Sequence, residues 1–114
     1  KKIFNNIKKF NLKIKWLSII SPNSIISKDV IIGEGSLVMP GCIINNGTRI
    51  KDHCIINTGS IIEHDNYFDN FSSCGPGVVT GGNVRVGESS YIGIGSVVKL
   101  VRSGDVIPYI LKIM

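Results

Sequence analysis

Apolar residues recur every six positions along most of this chain. From Ile19 it cuts into hexads without an insertion: IISPNS, IISKDV, IIGEGS, LVMPGC, IINNGT, RIKDHC, IINTGS, IIEHDN, YFDNFS, SCGPGV, VTGGNV, RVGESS, YIGIGS and VVKLVR. The second position holds Ile20, Ile26, Ile32, Val38, Ile44, Ile50, Ile56, Ile62, Phe68, Cys74, Thr80, Val86, Ile92 and Val98, with Cys74 and Thr80 the two that are not aliphatic or aromatic. The sixth is small or β-branched until Asn66 and Arg102, and the fifth is often Gly, which suits a tight turn at positive φ. A period of six matches neither the 3.6 of a helix nor the alternation of a long strand. It predicts short strands separated by turns, coiling into a prism with the second-position side chains stacked inside.

The flanks break the pattern. Ile3, Phe4, Ile7 and Phe10 are spaced for one face of a short helix, and Phe10, Leu12, Ile14 and Trp16 alternate like a strand. Residues 1–18 read as a leader connecting to an upstream element, residues 19–102 as the coil, and 103–114 as an irregular tail. The chain does not begin with Met and reads as a piece of a longer protein.

Composition narrows the picture. Hydrophobic residues make up 43% of the 114 and charged residues 18%, which excludes a disordered segment. Ile is over-used and Ala is absent, which favours strands. Much of the net charge of +5 lies in the leader, at Lys1, Lys2, Lys8, Lys9, Lys13 and Lys15. These lysines have no aromatic platform beside them, so nucleic-acid binding is not expected. No apolar run approaches the ~20 residues that span a bilayer, and the polar, lysine-rich opening does not read as a secretory signal. Cys42, Cys54 and Cys74 form no CxxC and are odd in number, as expected of buried thiols in a reducing cytoplasm.

The repeat from Ile19 to about Val98 resembles the hexapeptide family of left-handed parallel β-helices, whose coils take three hexads each. That resemblance implies an all-β fold with eighteen residues per coil. First-position residues then fall into three outer columns. Ile25, Ile43, Ile61, Val79 and Val97 are all aliphatic; Ile31, Arg49, Tyr67 and Arg85 suit solvent; Ile19, Leu37, Ile55, Ser73 and Tyr91 are mixed. An aliphatic outer face calls for a partner surface, and the family's usual homotrimer would provide it.

The polar turn Glu63-His64-Asp65 interrupts this apolar background. Stacking by eighteen sets Gly81 and Gly82 one coil above Glu63 and His64, and Asn45 and Asn46 one coil below. A histidine takes up a proton near neutral pH, since its reference pKa is ~6.5, and a carboxylate on the far ring nitrogen fixes the tautomer. Asp65 or Glu63 would serve, and since adjacent residues point apart, only one of the two is expected to. His53 lies eleven residues from His64, out of that register, and is assigned no role.

INTGSIIEHD, DNFSSCGPGV and TGGNVRVGESSYIGIGSVV are similar to sialic-acid O-acetyltransferases and UDP-amino-sugar N-acetyltransferases. The resemblance implies transfer of an acetyl group from acetyl-CoA to a sugar hydroxyl or amine in the bacterial cytoplasm. It implies His64 as the base, Asp65 and Glu63 beside it, Gly81 and Gly82 along the pantetheine arm, Ser73 against the cofactor and Asn57 at the acceptor. Where that family usually carries a second histidine before its PG turn, this chain has Ser73. That departure leaves a second expectation open, a catalytically incomplete solenoid serving assembly or binding. A zinc enzyme would need three converging histidines or a substitute cysteine, and only His53 and His64 are present, so no metal is expected.

Overall fold

The protein, described here by a computed structural model, is a three-sided parallel β-helix preceded by one short helix. Residues 1–10, 14–99 and 106–107 are described. Fourteen two-residue strands each take the first two positions of a hexad, as the period predicts. The first sheet stacks β1 (Ile19–Ile20), β4 (Leu37–Val38), β7 (Ile55–Ile56), β10 (Ser73–Cys74) and β13 (Tyr91–Ile92). The second stacks β2 (Ile25–Ile26), β5 (Ile43–Ile44), β8 (Ile61–Ile62), β11 (Val79–Thr80) and β14 (Val97–Val98). The third stacks β3 (Ile31–Ile32), β6 (Arg49–Ile50), β9 (Tyr67–Phe68), β12 (Arg85–Val86) and β15 (Val106–Ile107). The pairings are parallel, and through β14 each joins residues eighteen apart, such as Ile43 with Ile61.

The register changes once. Arg85 pairs with Val106, twenty-one residues on, where Tyr67 pairs with Arg85 at eighteen. The tail expected to be irregular from 103 therefore includes a further rung of the third sheet at 106–107. Three extra residues between β14 and β15 hide it from a six-residue reading.

Second and sixth positions point inward together, since alternate residues of a strand share a face. The core is thus two interleaved columns. One runs from Val38 through Ile44, Ile50, Ile56, Ile62, Phe68, Cys74, Val86 and Ile92. The other is smaller and more polar: Ser36, Cys42, Thr48, Cys54, Ser60, Asn66, Ser72, Val78, Val84, Ser90 and Ser96. Ile20, in the first coil, is 45% exposed where its counterpart Val38 is 1%, because among the described residues no strand pairs with β1 on the side away from β4. Burial pushes all three cysteine thiols up from their ordinary value, against hydrogen bonds that pull the other way. They are neutral at pH 7 and poor nucleophiles.

The fifth position of every hexad from Gly35 to Gly95 has a left-handed backbone. Six of these are glycines; the others are His53 (φ 57°), Asp65 (55°), Phe71 (60°), Asn83 (59°) and Ser89 (60°). A left-handed side chain costs roughly 1–2 kcal/mol, least for Asn and Asp, so His53 and Phe71 need compensation from their contacts.

Those contacts hold the N-terminal helix. α1 (Lys2–Lys9) lies against the corner where His53 and Phe71 stack, ring centroids 4.9 Å apart and nearly parallel. Phe4 packs 4.6 Å from His53, 5.4 Å from Phe71 and 5.7 Å from Trp16, and Trp16 meets His53 edge-on at 5.1 Å. A Cβ on Gly35, one coil below, would collide with His53 Nδ1 and fall 2.6 Å from Cε1, so glycine there makes room for the imidazole. His53 is thus in stacking register with Gly35 and Phe71, and the expectation that it has no role is corrected. The expected helix face is also narrower. Phe4 and Ile7 are half-buried, while Ile3 and Phe10 are each 72% exposed. No strand forms over residues 14–18; Trp16 turns instead into the aromatic cluster, and Leu12 lies outside the described residues.

Phe4→Ala should cost about 1–2 kcal/mol, less than a fully buried Phe, because the ring is only half covered. Hydrogen exchange should show the α1 amides losing protection while those of the coils keep theirs. Unchanged α1 protection would mean that the cluster does not hold the helix.

Candidate active site

The turn carrying His64 joins the second sheet to the third. β8 ends at Ile62, Glu63 to Asn66 make the corner, and β9 begins at Tyr67. Asp65 takes the left-handed conformation that closes the turn, and its amide donates to the Asn46 carbonyl one coil below at 2.9 Å. On the other side, the Asn83 amide donates to the His64 carbonyl at 3.0 Å. The corner is therefore fixed between two identical corners.

This stacking presses two adjacent side chains together. His64 Nδ1 lies 3.0 Å from Asp65 Oδ2, with both side chains about half exposed. When Nδ1 carries the proton it donates to the carboxylate, and Nε2 is left with a free lone pair. Glycines frame the pair from both coils. A Cβ on Gly82 would lie 2.5 Å from His64 Nε2 and 2.6 Å from Cε1. A Cβ on Gly47, below, would collide with the Asp65 carboxylate. Gly82 thus leaves room for the imidazole itself, where an open channel over the turn was the other way to use a missing side chain. Gly81 is different. A Cβ there would make only ordinary contact with Lys99, and its carbonyl accepts from Asn66 Nδ2 at 2.8 Å.

The remaining predicted residues take no part in the His64–Asp65 contact. The Glu63 carbonyl accepts from Thr48 Oγ1, and its amide donates to Thr80 Oγ1, so Glu63 meets the corner through its backbone. Asn57 follows β7 at the corner between the first and second sheets, with its Oδ1 turned back to the Thr58 amide at 2.9 Å. Ser73 is half-buried in the first sheet between Ile55 and Tyr91. Within one chain the structure brings together His64, Asp65, Gly81 and Gly82, and leaves Asn57 and Ser73 on the first-sheet side. Sequence reasoning missed Gly47, which mirrors Gly82 from below. Its signal was available: it stands eighteen residues before Asp65.

Among the described residues, no group of three or more His, Cys, Asp or Glu side chains could hold a metal ion. Among the same residues, no helix is long and apolar enough to cross a membrane.

The six-residue period, three parallel sheets and eighteen-residue register define a hexapeptide-repeat β-helix. Residues 29–64, which end on His64, match the model of the bacterial transferase hexapeptide (six repeats). Two solved structures are similar over most of the chain. The acetyltransferase domain of PglB from Neisseria gonorrhoeae FA1090, in complex with acetyl coenzyme A, is 36% identical with a TM-score of 0.77 over 84% of this chain and 48% of its own. A histidine-to-alanine mutant of GDP-perosamine N-acetyl transferase from Caulobacter crescentus, in complex with CoA and GDP-perosamine, is 32% identical with a TM-score of 0.79 over 86% of this chain and 46% of its own. The chain therefore spans about half the length of each. No curated protein sequence matches it.

Gly82→Ala tests the packing of the site. Gly82 is not among the left-handed glycines, so its backbone accepts alanine, and the methyl group must displace the His64 ring. Overpacking at a half-exposed site should cost no more than about 1–3 kcal/mol. The imidazole 15N signals of His64 should shift as the ring leaves Asp65; unchanged signals would refute the packing.

Proposed function

We propose that this chain is the catalytic β-helix of an acetyl-CoA-dependent acetyltransferase acting on a sugar or a nucleotide-linked amino sugar. The observation that carries the reading is the His64–Asp65 pair, 3.0 Å apart and seated against Gly82. The fold around it is similar to two solved acetyltransferases, one holding acetyl coenzyme A and the other CoA with GDP-perosamine. Those ligands favour an amino sugar as acceptor over sialic acid.

In this reading His64 Nε2 takes the proton of the acceptor amine or hydroxyl as that group attacks the thioester carbonyl of acetyl-CoA. The C–S bond breaks as the tetrahedral intermediate collapses, and the imidazolium returns the proton to the departing thiolate. Asp65 keeps Nδ1 protonated and stabilises the imidazolium. The buried, neutral cysteines support direct transfer without a covalent acyl-enzyme. Gly81 and Gly82 border the path of the pantetheine arm, Ser73 meets the cofactor and Asn57 the acceptor.

The second sheet supports a homotrimer. Ile25, Ile43, Ile61, Val79 and Val97 share its outer face, and Ile25 and Val97 are 68% and 78% exposed. The corners bordering that sheet carry His64 on one side and Asn57 on the other, so packing on it sets His64 of one copy toward Asn57 of the next.

Release of free CoA thiol from acetyl-CoA, with UDP- and GDP-linked amino sugars as acceptors, tests the activity. His64→Ala should lower kcat by about 10²–10⁴-fold, the contribution of general-base catalysis. Equal rates for variant and wild type would remove His64 from the mechanism and favour the non-catalytic module, to which Ser73 in place of a second histidine also points. Light scattering should give a trimer for the wild type and a smaller species for Ile61→Asp. A folded wild-type monomer at micromolar concentration would rule out the interface.

A further inference from the structure

Two interior positions depart from the repeat, and both bond to the backbone of the His64 turn, one from within its corner and one from the coil above. Most sixth-position hydroxyls make one of two bonds, donating either to the carbonyl three residues back in their own corner, as Ser24 to Ser21 and Ser72 to Asp69 do at 2.6 Å, or to the carbonyl fifteen residues ahead in the next coil. Ser36 Oγ does the latter to Lys51 at 2.9 Å, Thr48 Oγ1 to Glu63 at 2.9 Å, and Ser60 Oγ to Gly75 at 3.1 Å. Asn66 makes the same bond to Gly81, at 2.8 Å. Its amide nitrogen also reaches the carbonyls of its own corner, Glu63 at 3.1 Å and His64 at 3.2 Å. A hydroxyl has one hydrogen and cannot hold both coils at once; an amide NH2 has two.

Thr80 completes the arrangement from above. It stands in the otherwise apolar second-position column, is 1% exposed, and accepts the Glu63 amide on Oγ1 at 3.1 Å. Valine would have the same shape without the acceptor. Asn66, also 1% exposed, keeps its Oδ1 without a hydrogen-bond partner among the described residues. A buried amide oxygen without a partner works against folding. A serine bonded as Ser36, Ser60 and Ser72 are would not carry that penalty, although Ser96 Oγ at another sixth position shares it. The sequence therefore departs from the repeat at a cost to the fold, where the departure ties down one turn.

We infer that Asn66 and Thr80 are positioning residues that hold the backbone of the His64 turn, so that the imidazole stays between Asp65 and Gly82. They touch no substrate and act through His64, and their catalytic consequence rests on the proposed role of His64 as base. Asn66 grips the carbonyls of Glu63 and His64 while Thr80 holds the Glu63 amide. Losing either set frees the turn to pivot between its neighbours, and the imidazole moves with it.

The test compares Asn66→Ser, Thr80→Val and a control, Ser36→Ala, which removes an interior hydroxyl at another corner. Imidazole 15N spectra of the full chain read the His64 tautomer directly, whether or not acetyl transfer is detected. Both site variants should convert a single Nδ1-protonated species into a mixture, and Asn66→Ser should do so without lowering the unfolding temperature. Ser36→Ala should lower that temperature and leave the His64 signals in place. In the transfer assay, kcat should fall about tenfold with KM for acetyl-CoA unchanged, as for groups that orient a reacting residue. His64 signals that superimpose on wild type in both site variants would overturn the inference. Shifted signals without any transfer activity in the wild type would uphold the brace and count against the proposed function.

Discussion

The structure depends on one constraint, the eighteen-residue stacking of coils through parallel two-residue rungs. Each coil leaves its edges to be covered by the next, so residues eighteen apart are in contact whatever their chemistry. An invariant backbone then confers individuality only where a side chain departs from its column. The His64 corner is such a place. Its backbone is that of the corners above and below, and its chemistry comes from a histidine and an aspartate set between two glycines. The pair is held by neighbours that do no chemistry themselves.

The left-handed fifth position shows how this works energetically. Glycine takes that conformation freely and fills it in six of the corners from Gly35 to Gly95. At three of the five corners where another residue takes it, the side chain has contacts to offset the cost. Asp65 meets His64, and His53 and Phe71 stack on each other and receive Phe4 from α1. The two decorated corners differ, one holding a histidine–aspartate contact in half-exposed surroundings and the other anchoring a helix with aromatic contacts. The same turn geometry accommodates both because it projects the fifth side chain along the coil axis, onto the residue eighteen away.

Much of this was legible in the sequence. Two-residue strands, inward second positions, three outer columns and Gly82 over His64 follow from the hexads once the coil length is known. What stayed hidden depended on contacts outside the period. His53 carries no signal against His64, because its register partners are Gly35 and Phe71 and its packing partner, Phe4, precedes the repeat altogether. The rung at Val106–Ile107 was hidden by three extra residues. Thr80 and Asn66 stood out as exceptions in their columns, but nothing in a one-dimensional pattern says that both point at the backbone of a single turn.

The proposed acetyl transfer requires the acyl donor to reach His64. A crystal structure of the chain with CoA tests that most directly. The proposed mechanism requires the CoA sulfur near His64 Nε2, with the pantetheine arm running past Gly81 and Gly82 beside the aliphatic face of the second sheet. CoA bound with its sulfur at another corner, and His64 open to solvent, would contradict it.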